Sequence, residues 1–291
     1  SIQTEMSMSS NSTTTINVRP LPAGFGAWVE FDTSSPPNEW EAHEIAKAFH
    51  AHRVLIFEKA NLTLAQLAAF VRTFGSHDDG SGRLASDSNE YAGIRVVENV
   101  EKGKFGPRSN SELDWHSDRF YDPVVAGLLN SVVVPQEGGD TSFSDLYRAL
   151  DELPPALRQA IEGRRIKQDV VFDAQGKPGM RPGGVKVEDV MNSPGIETDI
   201  VQRHPFSGKL FLFLGNRLNA YVPGLSLAES EDLLDALYAH VDQPEFHYRH
   251  HWQANELILY DNRCCMHRRE MFDENAERKL YASVVDRSNI L

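Results

Sequence analysis

Residues 124–139 read VVAGLLNSVVVPQEGG, and this stretch decides the fold class of the chain. From Val124 to Val134 it is an apolar run rich in β-branched residues, and Pro135 followed by Gly138 and Gly139 ends the run in a turn. Such a run predicts a buried β-strand, because branched side chains pack well on a pleated sheet. Shorter runs of this kind recur at residues 53–57, 94–97, 166–172, 197–203, 210–214, 246–252, 256–260 and 279–285.

Helical patterns interrupt these predicted strands. Apolar residues recur at helix spacing from residue 40 up to the strand at 53–57, and again over 62–74, 145–163 and 227–240. Thr63 and Ser226 are placed to open two of these helices as N-caps. Residues 76–113 and 173–194 are polar or rich in Gly and Pro, which predicts two long loops and makes them candidates for a lid over a site.

This pattern predicts a mainly β protein with flanking helices. Many short strands, few helices and no repeat are typical of a jelly roll or a barrel of antiparallel strands. Residues 1–17 are rich in Ser and Thr and predict a disordered N-terminal tail. Residues 18–291 show no internal boundary, so we expect them to form a single domain.

Composition excludes several classes of function. The chain has 291 residues, of which 41% are hydrophobic and 24% charged, as in an ordinary globular protein. No apolar run approaches the roughly 20 residues that a membrane span needs, so we expect no membrane partner. The formal charge of −13 argues against a nucleic-acid partner. It also means that an anionic substrate would need a local basic pocket.

Cys264 and Cys265 are the only cysteines, and they are adjacent in the chain. A disulfide between neighbouring residues is strained, so both thiols are expected to stay free. Free thiols are typical of a reducing compartment, which predicts the cytoplasm.

The sharpest local motif is Trp115-His116-Ser117-Asp118. In an extended segment, residues two apart point to the same side, so His116 and Asp118 can face one point. An imidazole and a carboxylate are two of the three ligands in the facial triad of non-haem iron(II) oxygenases, which leaves open positions on the metal. Alone the pair is weak, because most such pairs are surface residues, and a third ligand has to come from elsewhere.

The third ligand has several candidates. His267 follows an apolar strand and the polar turn that begins at Asp261. His247, His250 and His251 lie together in a predicted strand, where alternation separates His250 from the other two. Spacing alone leaves all four histidines open.

An ordered set of motifs resembles the family of taurine dioxygenase and 2,4-dichlorophenoxyacetate dioxygenase. The similarity runs from about Val54 to Asp286, and its closing third is nearer to the phenoxyacetate branch. The residues that carry it are Trp115-His116-Ser117-Asp118, Gly138-Gly139-Asp140-Thr141, Trp252, Asp261-Asn262-Arg263 with His267, and Arg278.

The resemblance implies a fold, a set of cofactors and the site residues. The fold would be a double-stranded β-helix, a form of jelly roll. Iron(II) would be held by His116, Asp118 and His267, while Arg278 and Thr141 would hold the cosubstrate 2-oxoglutarate. A guanidinium can grip a carboxylate with two parallel hydrogen bonds, which suits Arg278 to this role.

The resemblance also implies the reaction. The enzyme would use O₂ to hydroxylate a small organic substrate, an aryloxy, aromatic or other small acid, with release of succinate and CO₂. Related halogenases lack the carboxylate ligand, so the presence of Asp118 favours hydroxylation. Members of the family are often dimers or tetramers, which predicts a homo-oligomer.

One departure from the family pattern concerns the substrate. Members that bind a sulfonate or carboxylate substrate carry a second arginine four residues after the first, and here that position is Ala282. Arg119, Lys104 and Arg108 are alternative partners for an anionic substrate. Arg119 and the next two residues are also candidates to line the substrate pocket, because they directly follow the predicted metal ligands.

Two other functions fit a jelly roll. The first is a cupin-type metalloenzyme that does not use 2-oxoglutarate, in which His247 and His251 would be ligands. The second is a non-enzymatic jelly-roll binding protein, for example one that binds carbohydrate. The second leaves the ordered set of His116, Asp118, Thr141, His267 and Arg278 unexplained.

Overall fold

The computed structural model describes residues 16–75, 93–99, 112–181 and 184–291. Their secondary structure is mostly short strands. The strands are β1 Asn17–Pro20, β2 Ala27–Glu30, β3 Val54–Phe57, β4 Arg95–Glu98, β5 Leu113–His116, β6 Ala126–Val133, β7 Thr141–Asp145, β8 Arg165–Asp169, β9 Val171–Phe172, β10 Pro178–Gly179, β11 Gly195–Asp199, β12 Val201–Arg203, β13 Leu210–Leu212, β14 His247–His250, β15 Leu257–Asp261, β16 Cys265–Arg269 and β17 Lys279–Val285.

The longer helices begin at capping boxes. The α-helices are α1 Glu39–His52, α2 Leu64–Phe74, α3 Leu146–Asp151, α4 Pro155–Ala160 and α5 Leu227–Val241. In α2 and α5 the N-cap side chains of Thr63 and Ser226 accept a hydrogen bond from the backbone three residues on, which confirms both predicted caps. Asn38 does the same for α1. Each such cap stabilises its helix by about 0.5–2 kcal/mol.

The single helix predicted for 145–163 is wrong in one respect. The structure has two short helices there, α3 and α4, separated around Pro154 and Pro155. Proline lacks a backbone N–H and disfavours a helical residue before it, so the first helix cannot continue. Pro155 instead opens α4, where a missing N–H costs nothing.

Two sheets form the jelly roll. The larger has the strand order β1-β2-β3-β15-β6-β17-β4, and the smaller has β14-β7-β16-β5. The predicted strand at 124–134 is β6, which pairs with β15 and β17 inside the larger sheet. In the described residues neither sheet closes on itself, so the fold is an open jelly roll rather than a barrel.

The central strands of the larger sheet, β3 and β15, are buried on both faces, which explains why they are apolar runs. On one face Ile258 and Tyr260 share a core with Phe143 and Met266 of the smaller sheet. On the other face Leu55, Phe57, Leu257 and Leu259 pack with apolar residues of α1 and α2, among them Ile45, Phe49 and Phe70. Strands covered on both sides carry apolar residues at every position rather than at alternate ones.

Three predicted segments fall partly outside the described residues, and one of them is the loop at 173–194, in which residues 182 and 183 are not described. Of the predicted tail 1–17, only residues 16 and 17 are described, and Asn17 already belongs to β1, where it pairs with Glu30. Of the predicted loop 76–113, residues 93–99 and 112–113 are described, and they include the predicted strand near 94–97 as β4. No helix in the described part of the chain has both the length and the apolar character to cross a bilayer.

Candidate metal centre

Sheet register brings two of the predicted ligands together. β5 and β16 are neighbours in the smaller sheet, and their register sets His116 directly opposite His267. The ring centroids of the two imidazoles are 4.3 Å apart. Pairing across a sheet thus joins residues that are far apart in the sequence, which neither motif could predict alone.

Asp118 completes the cluster from the turn after β5. One oxygen, Oδ1, lies 3.9 Å from Nε2 of His116 and 3.7 Å from Nε2 of His267. These donor atoms all lie within 4.8 Å of one another. The predicted set His116, Asp118 and His267 is therefore brought together by the fold.

Neighbouring groups orient the ligand atoms. Nδ1 of His116 lies 2.7 Å from the carbonyl oxygen of Asp114, so in the neutral imidazole this nitrogen carries the proton and Nε2 has the lone pair. The hydroxyl of Tyr260 donates a hydrogen bond to Oδ2 of Asp118, which leaves Oδ1 facing the imidazoles. The side chain of Asn262 holds the backbone of Asp118 by accepting from its N–H at 2.8 Å and donating to its carbonyl at 2.9 Å.

His267 is oriented by packing. Its ring lies between Tyr260 and Phe143, with centroid distances of 4.9 and 6.2 Å. Nδ1 of His267 is buried and has no hydrogen-bond partner among the described residues. A buried polar atom without a hydrogen-bond partner costs free energy, and a role in a functional site is one explanation for such an atom.

Electrostatics keep the cluster in the forms that bind a metal. Burial raises the pKa of Asp118, but the charges of His267, His116 and Arg95 and the hydrogen bond from Tyr260 outweigh burial, so this pKa lies below its usual range. Burial, aided by the charge of His116, lowers the pKa of His267 to about 3. At neutral pH the carboxylate is ionised and His267 is neutral, as metal ligands must be.

The donor set fits a transition metal. Separations of 3.7 and 3.9 Å are too long for direct hydrogen bonds between the carboxylate and the imidazoles. Two donors that share one ion can lie up to about 4.2 Å apart, twice a bond length of about 2.0–2.2 Å. Two neutral imidazoles and one carboxylate are the ligands of a facial triad, which leaves the remaining coordination positions for other molecules.

The rival histidines have other roles. Nε2 of His247 contacts the carbonyl of Val241. His250 forms a buried pair with Glu256 at 2.6 Å. His251 is 51% exposed and lies 2.8 Å from Asp140. The ligand set of the cupin-type alternative, His247 with His251, is therefore not assembled.

A second cluster of possible ligands, His50, His204 and Asp261, does not suit a cation. Both oxygens of Asp261 already accept hydrogen bonds from the Arg263 guanidinium at 2.9 Å. Nδ1 of His204 accepts from two backbone N–H groups, so its Nε2 carries the proton that is donated to Asp261 at 2.7 Å. A cation here would meet a bound guanidinium and an imidazole without a free lone pair, so we interpret the cluster as structural.

A cavity of about 170 Å³ opens beside the His116 cluster. Its walls combine the three cluster residues, apolar side chains and three arginines. The lining residues are Arg95, Val97, Leu113, His116, Asp118, Leu128, Leu129, Thr141, Tyr260, His267, Arg269, Arg278, Leu280 and Ala282. The arginines supply the local basic pocket that the sequence required for an anionic ligand in a chain of charge −13.

Arg278 is a buried cation at this cavity, with 4% of its surface exposed. One terminal nitrogen donates to the carbonyl of Gly139 at 3.1 Å, while Nε has no partner among the described residues. Burial and the charge of Arg269 lower the pKa of Arg278 to about 9. In the described part of the chain Arg278 has no ion pair with a carboxylate, so an anionic ligand in the cavity would compensate its buried charge.

The motif around Thr141 shapes the same region. Gly139 has φ 69°, and a Cβ atom there would lie 3.0 Å from Nε of Arg278, so glycine favours both this turn and the close approach of the arginine. The indole N–H of Trp252 donates to the hydroxyl oxygen of Thr141 at 2.9 Å. That bond leaves the hydroxyl hydrogen of Thr141 to donate to a ligand in the cavity.

Of the alternative partners for an anionic substrate, Arg119 already forms ion pairs with two carboxylates. Its guanidinium pairs with Asp122 and, at 3.0 Å, with Asp286. The backbone of Arg119 has φ 47°, so the chain turns sharply after Asp118, and residues 119–121 do not line the cavity. Lys104 and Arg108 lie outside the described residues.

Three residues of the site, Arg95, Tyr260 and Asn262, were not predicted from the sequence, and only Asn262 lies within one of the motifs named above.

Comparisons with known proteins identify the family of this chain. The model of the family described as "Taurine catabolism dioxygenase TauD, TfdA family" matches residues 17–283. The alpha-ketoglutarate-dependent 2,4-dichlorophenoxyacetate dioxygenase of Cupriavidus pinatubonensis is 33% identical over 274 residues, which are 90% of this chain and 94% of the relative. The (S)-phenoxypropionate/alpha-ketoglutarate-dioxygenase of Sphingobium herbicidovorans is 29% identical over 284 residues, 92% of this chain and 93% of the relative.

A solved structure extends the likeness to the fold. The structure of AAD-2 in complex with Mn(II) and N-oxalylglycine matches with a TM-score of 0.73 and 26% sequence identity. The match covers 93% of this chain and 96% of that one. The likeness therefore spans the jelly roll as a whole and is not confined to the motifs.

Proposed function

This chain belongs to the TauD, TfdA family of dioxygenases, and we propose that it hydroxylates a small organic acid with iron(II) held by His116, Asp118 and His267. It is an enzyme that depends on Fe(II), 2-oxoglutarate and O₂. The proposal rests on one observation above all. Oδ1 of Asp118 and the Nε2 atoms of two histidines converge at the edge of a cavity that also contains a buried arginine.

We assign the distal carboxylate of 2-oxoglutarate to Arg278 and Thr141. Both residues line the cavity that contains the metal cluster, so a small dicarboxylate anchored there by one end can meet the cluster with the other. Arg278 offers charged donors, and the hydroxyl of Thr141, held by Trp252, adds a neutral one. The compensation of a buried guanidinium by a carboxylate favours this arrangement.

We propose an aryloxy acid as the class of substrate. The two relatives above are named for 2,4-dichlorophenoxyacetate and (S)-phenoxypropionate, which are both aryloxy carboxylates. The cavity walls suit such molecules, because leucine and valine side chains lie beside arginines. An apolar ring and a single negative charge would each find a matching surface.

The chain's own residues would position the reaction. When bound, ferrous iron with 2-oxoglutarate and O₂ supplies the oxidising power that hydroxylates a C–H bond, while 2-oxoglutarate is converted to succinate and CO₂. His116, Asp118 and His267 would hold the ion through one carboxylate oxygen and two imidazole nitrogens. Tyr260 fixes the Asp118 oxygen, and the apolar walls restrict water. For an aryloxyacetate, hydroxylation of the carbon beside the ether oxygen would give a hemiacetal, whose C–O bond breaks to release the phenol and glyoxylate.

The function is tested by succinate release. Purified protein with Fe(II), 2-oxoglutarate and O₂ should form succinate faster when an aryloxy acid is added, in a screen that also contains sulfonates, amino acids and aromatic acids. Formation of the phenol in the same amount as succinate would identify the aryloxy acid as the substrate. Absence of 2-oxoglutarate turnover with every member of the screen would favour the cupin-type alternative.

We expect the Tyr260→Phe variant to bind iron(II) more weakly. The variant removes the only hydroxyl that holds Oδ2 of Asp118 among the described residues, and loss of such a partner typically lowers metal affinity by about 10–100-fold. Titration with Fe(II) under anaerobic conditions measures the effect. Tyr248→Phe is the matched control, because that hydroxyl contacts His250 and not the cluster. Equal iron affinity of the wild type and Tyr260→Phe would contradict the role assigned to Tyr260.

We expect the Thr141→Val variant to require more 2-oxoglutarate. Loss of one neutral hydrogen bond should raise the KM for 2-oxoglutarate roughly 2- to 10-fold. Trp252→Phe should raise this KM less, because it keeps the hydroxyl of Thr141 and removes only the indole N–H that orients it. Succinate release at varied 2-oxoglutarate measures both variants, and a KM unchanged in Thr141→Val would remove Thr141 from this site.

Three further features of the protein remain proposals. We propose that residues 18–291 form one catalytic domain, which is supported by a family match that spans 17–283. We propose a reducing compartment, with the cytoplasm as the specific prediction, which is supported by the free, buried thiols of Cys264 and Cys265. A homo-oligomer, dimer or tetramer, is a prediction that size-exclusion chromatography with light scattering would test.

A further inference from the structure

Three arginines line the cavity, and their positions differ. Arg278 and Arg269 are both buried, and their guanidinium groups lie over the ring of Phe272 at 5.7 and 5.5 Å. Arg95 is only half buried and belongs to β4, the last strand of the larger sheet. If Arg278 holds the cosubstrate, as proposed above, Arg95 is the cavity arginine nearest to open solvent and is therefore accessible to a molecule that enters later.

Register places Arg95 against the position where the sequence lacks an arginine. β4 pairs antiparallel with β17, and Arg95 lies directly opposite Ala282. Side chains of such a pair lie on the same face of the sheet, with Cβ atoms about 4.5–5.5 Å apart. Leu280 and Ala282 share that face because they alternate along β17, Arg278 directly precedes the strand, and all three line the cavity.

The small side chain at position 282 leaves room for the guanidinium of Arg95. Ala282 is buried and is one of the residues that line the cavity. An arginine at that position would stand beside Arg95 and set two like charges next to each other, which is destabilising. One guanidinium at this point of the sheet is therefore the favourable arrangement, and this chain supplies it from β4 instead of β17.

The charge of Arg95 reaches the metal cluster. It acts electrostatically on Asp118, His267 and Tyr260. No carboxylate in the described residues forms an ion pair with Arg95. Arg119, in contrast, is already paired with Asp122 and Asp286. Arg95 is thus a cation that faces the reaction centre and can take an anion there.

We propose that Arg95 is the substrate-specificity residue of this enzyme and binds the carboxylate of a small organic acid. Val97, Leu113 and Leu129 lie in the same cavity and would contact the apolar part of that acid. The inference rests on the proposed function, since it requires a substrate site beside the metal cluster. It goes further by naming the residue that selects anionic over neutral molecules.

Binding to the complex with Fe(II) and 2-oxoglutarate, without oxygen, tests this role. The probe is 2,4-dichlorophenoxyacetate, and its uncharged methyl ester is the matched ligand. Both are titrated while the weak absorption band of the iron and 2-oxoglutarate complex is followed. We expect the wild type to prefer the acid. Arg95→Gln should weaken binding of the acid roughly 10- to 100-fold, the loss expected for one charge-assisted contact, with little change for the ester.

Further variants separate a substrate contact from a general effect of charge. Arg165→Gln, which removes an exposed arginine on β8, should leave the dissociation constant of the acid unchanged. Arg95→Lys should retain part of the preference for the acid. The double variant Arg95→Gln/Ala282→Arg should bind the acid more tightly than Arg95→Gln, because it returns a guanidinium to the opposite strand.

Several results would overturn the proposal. They are equal affinity of the wild type for acid and ester, no binding of the acid, unchanged affinity in Arg95→Gln, or a double variant no better than Arg95→Gln. An equal loss of affinity for 2-oxoglutarate in Arg95→Gln would assign the residue to the cosubstrate instead. Failure of the wild type to form the band at all would overturn the proposed function itself, and that outcome is visible before any acid is added.

Discussion

Replacing His116 by alanine is expected to abolish iron(II) binding and, with it, turnover. His116 contributes one of three donor atoms that converge on a single point, and two remaining ligands cannot form the facial set. Loss of a residue that only hydrogen-bonds a metal ligand lowers metal affinity by about 10–100-fold. Loss of the ligand itself should therefore lower the affinity for iron(II) by more than roughly 100-fold. Anaerobic titration with Fe(II) and 2-oxoglutarate, followed by the absorption band, measures the loss directly.

The control for this variant is His251→Ala. It removes an imidazole that is 51% exposed and that the cupin-type alternative would use as a ligand. We expect it to form the iron complex as the wild type does. Thermal unfolding should show that His116→Ala remains folded, because this side chain is 25% exposed and adds little to the core. Full oxygen uptake with 2-oxoglutarate in His116→Ala would contradict the assignment of the ligands.

Replacing Arg278 by alanine is expected to raise the KM for 2-oxoglutarate by about 100-fold or more. Charge-assisted hydrogen bonds contribute about 1.5–3 kcal/mol each, and every 1.4 kcal/mol is a factor of ten. Arg269 lines the same cavity, and its guanidinium and that of Arg278 both lie over the ring of Phe272, at 5.5 and 5.7 Å, so one cation remains near the site in Arg278→Ala while the hydrogen bonds of Arg278 are lost. Succinate release at varied 2-oxoglutarate and saturating acid measures the change.

Two companion variants make the result specific. Arg278→Lys keeps the charge but loses the planar fork, so its KM should lie between those of the wild type and the alanine variant. Lys279→Gln removes a charge from the adjacent, partly exposed residue and should leave the KM unchanged. An unchanged requirement for 2-oxoglutarate in Arg278→Ala would remove Arg278 from the cosubstrate site.

The sequence predicted the fold where local rules decide the structure. Thr63 and Ser226 cap helices as expected, and the apolar run at 124–134 became β6 within a sheet covered on both faces. Polar strands were harder to predict. β7 has the sequence TSFSD, and all five residues are buried although four of them are polar. Their burial comes from the neighbouring strands, so no apolar pattern in the sequence marks this strand. The helix predicted over 145–163 was divided because two adjacent prolines outweigh the apolar spacing.

The site was predictable only as far as motifs and resemblance reach. His116 and Asp118 share a motif, but the choice of His267 over three other histidines depended on resemblance to a family. Arg95 lies in no motif, and its importance comes from register, which sets it opposite Ala282 across two strands far apart in the chain. Sequence spacing carries no information about such a pair.

A crystal structure of the enzyme with Mn(II) and N-oxalylglycine is the most direct test of the central claim. We expect a metal bonded to Nε2 of His116, a carboxylate oxygen of Asp118 and Nε2 of His267, with the distal carboxylate of N-oxalylglycine on the guanidinium of Arg278. A metal bound elsewhere, for example between His50 and Asp261, or a distal carboxylate away from Arg278, would contradict it.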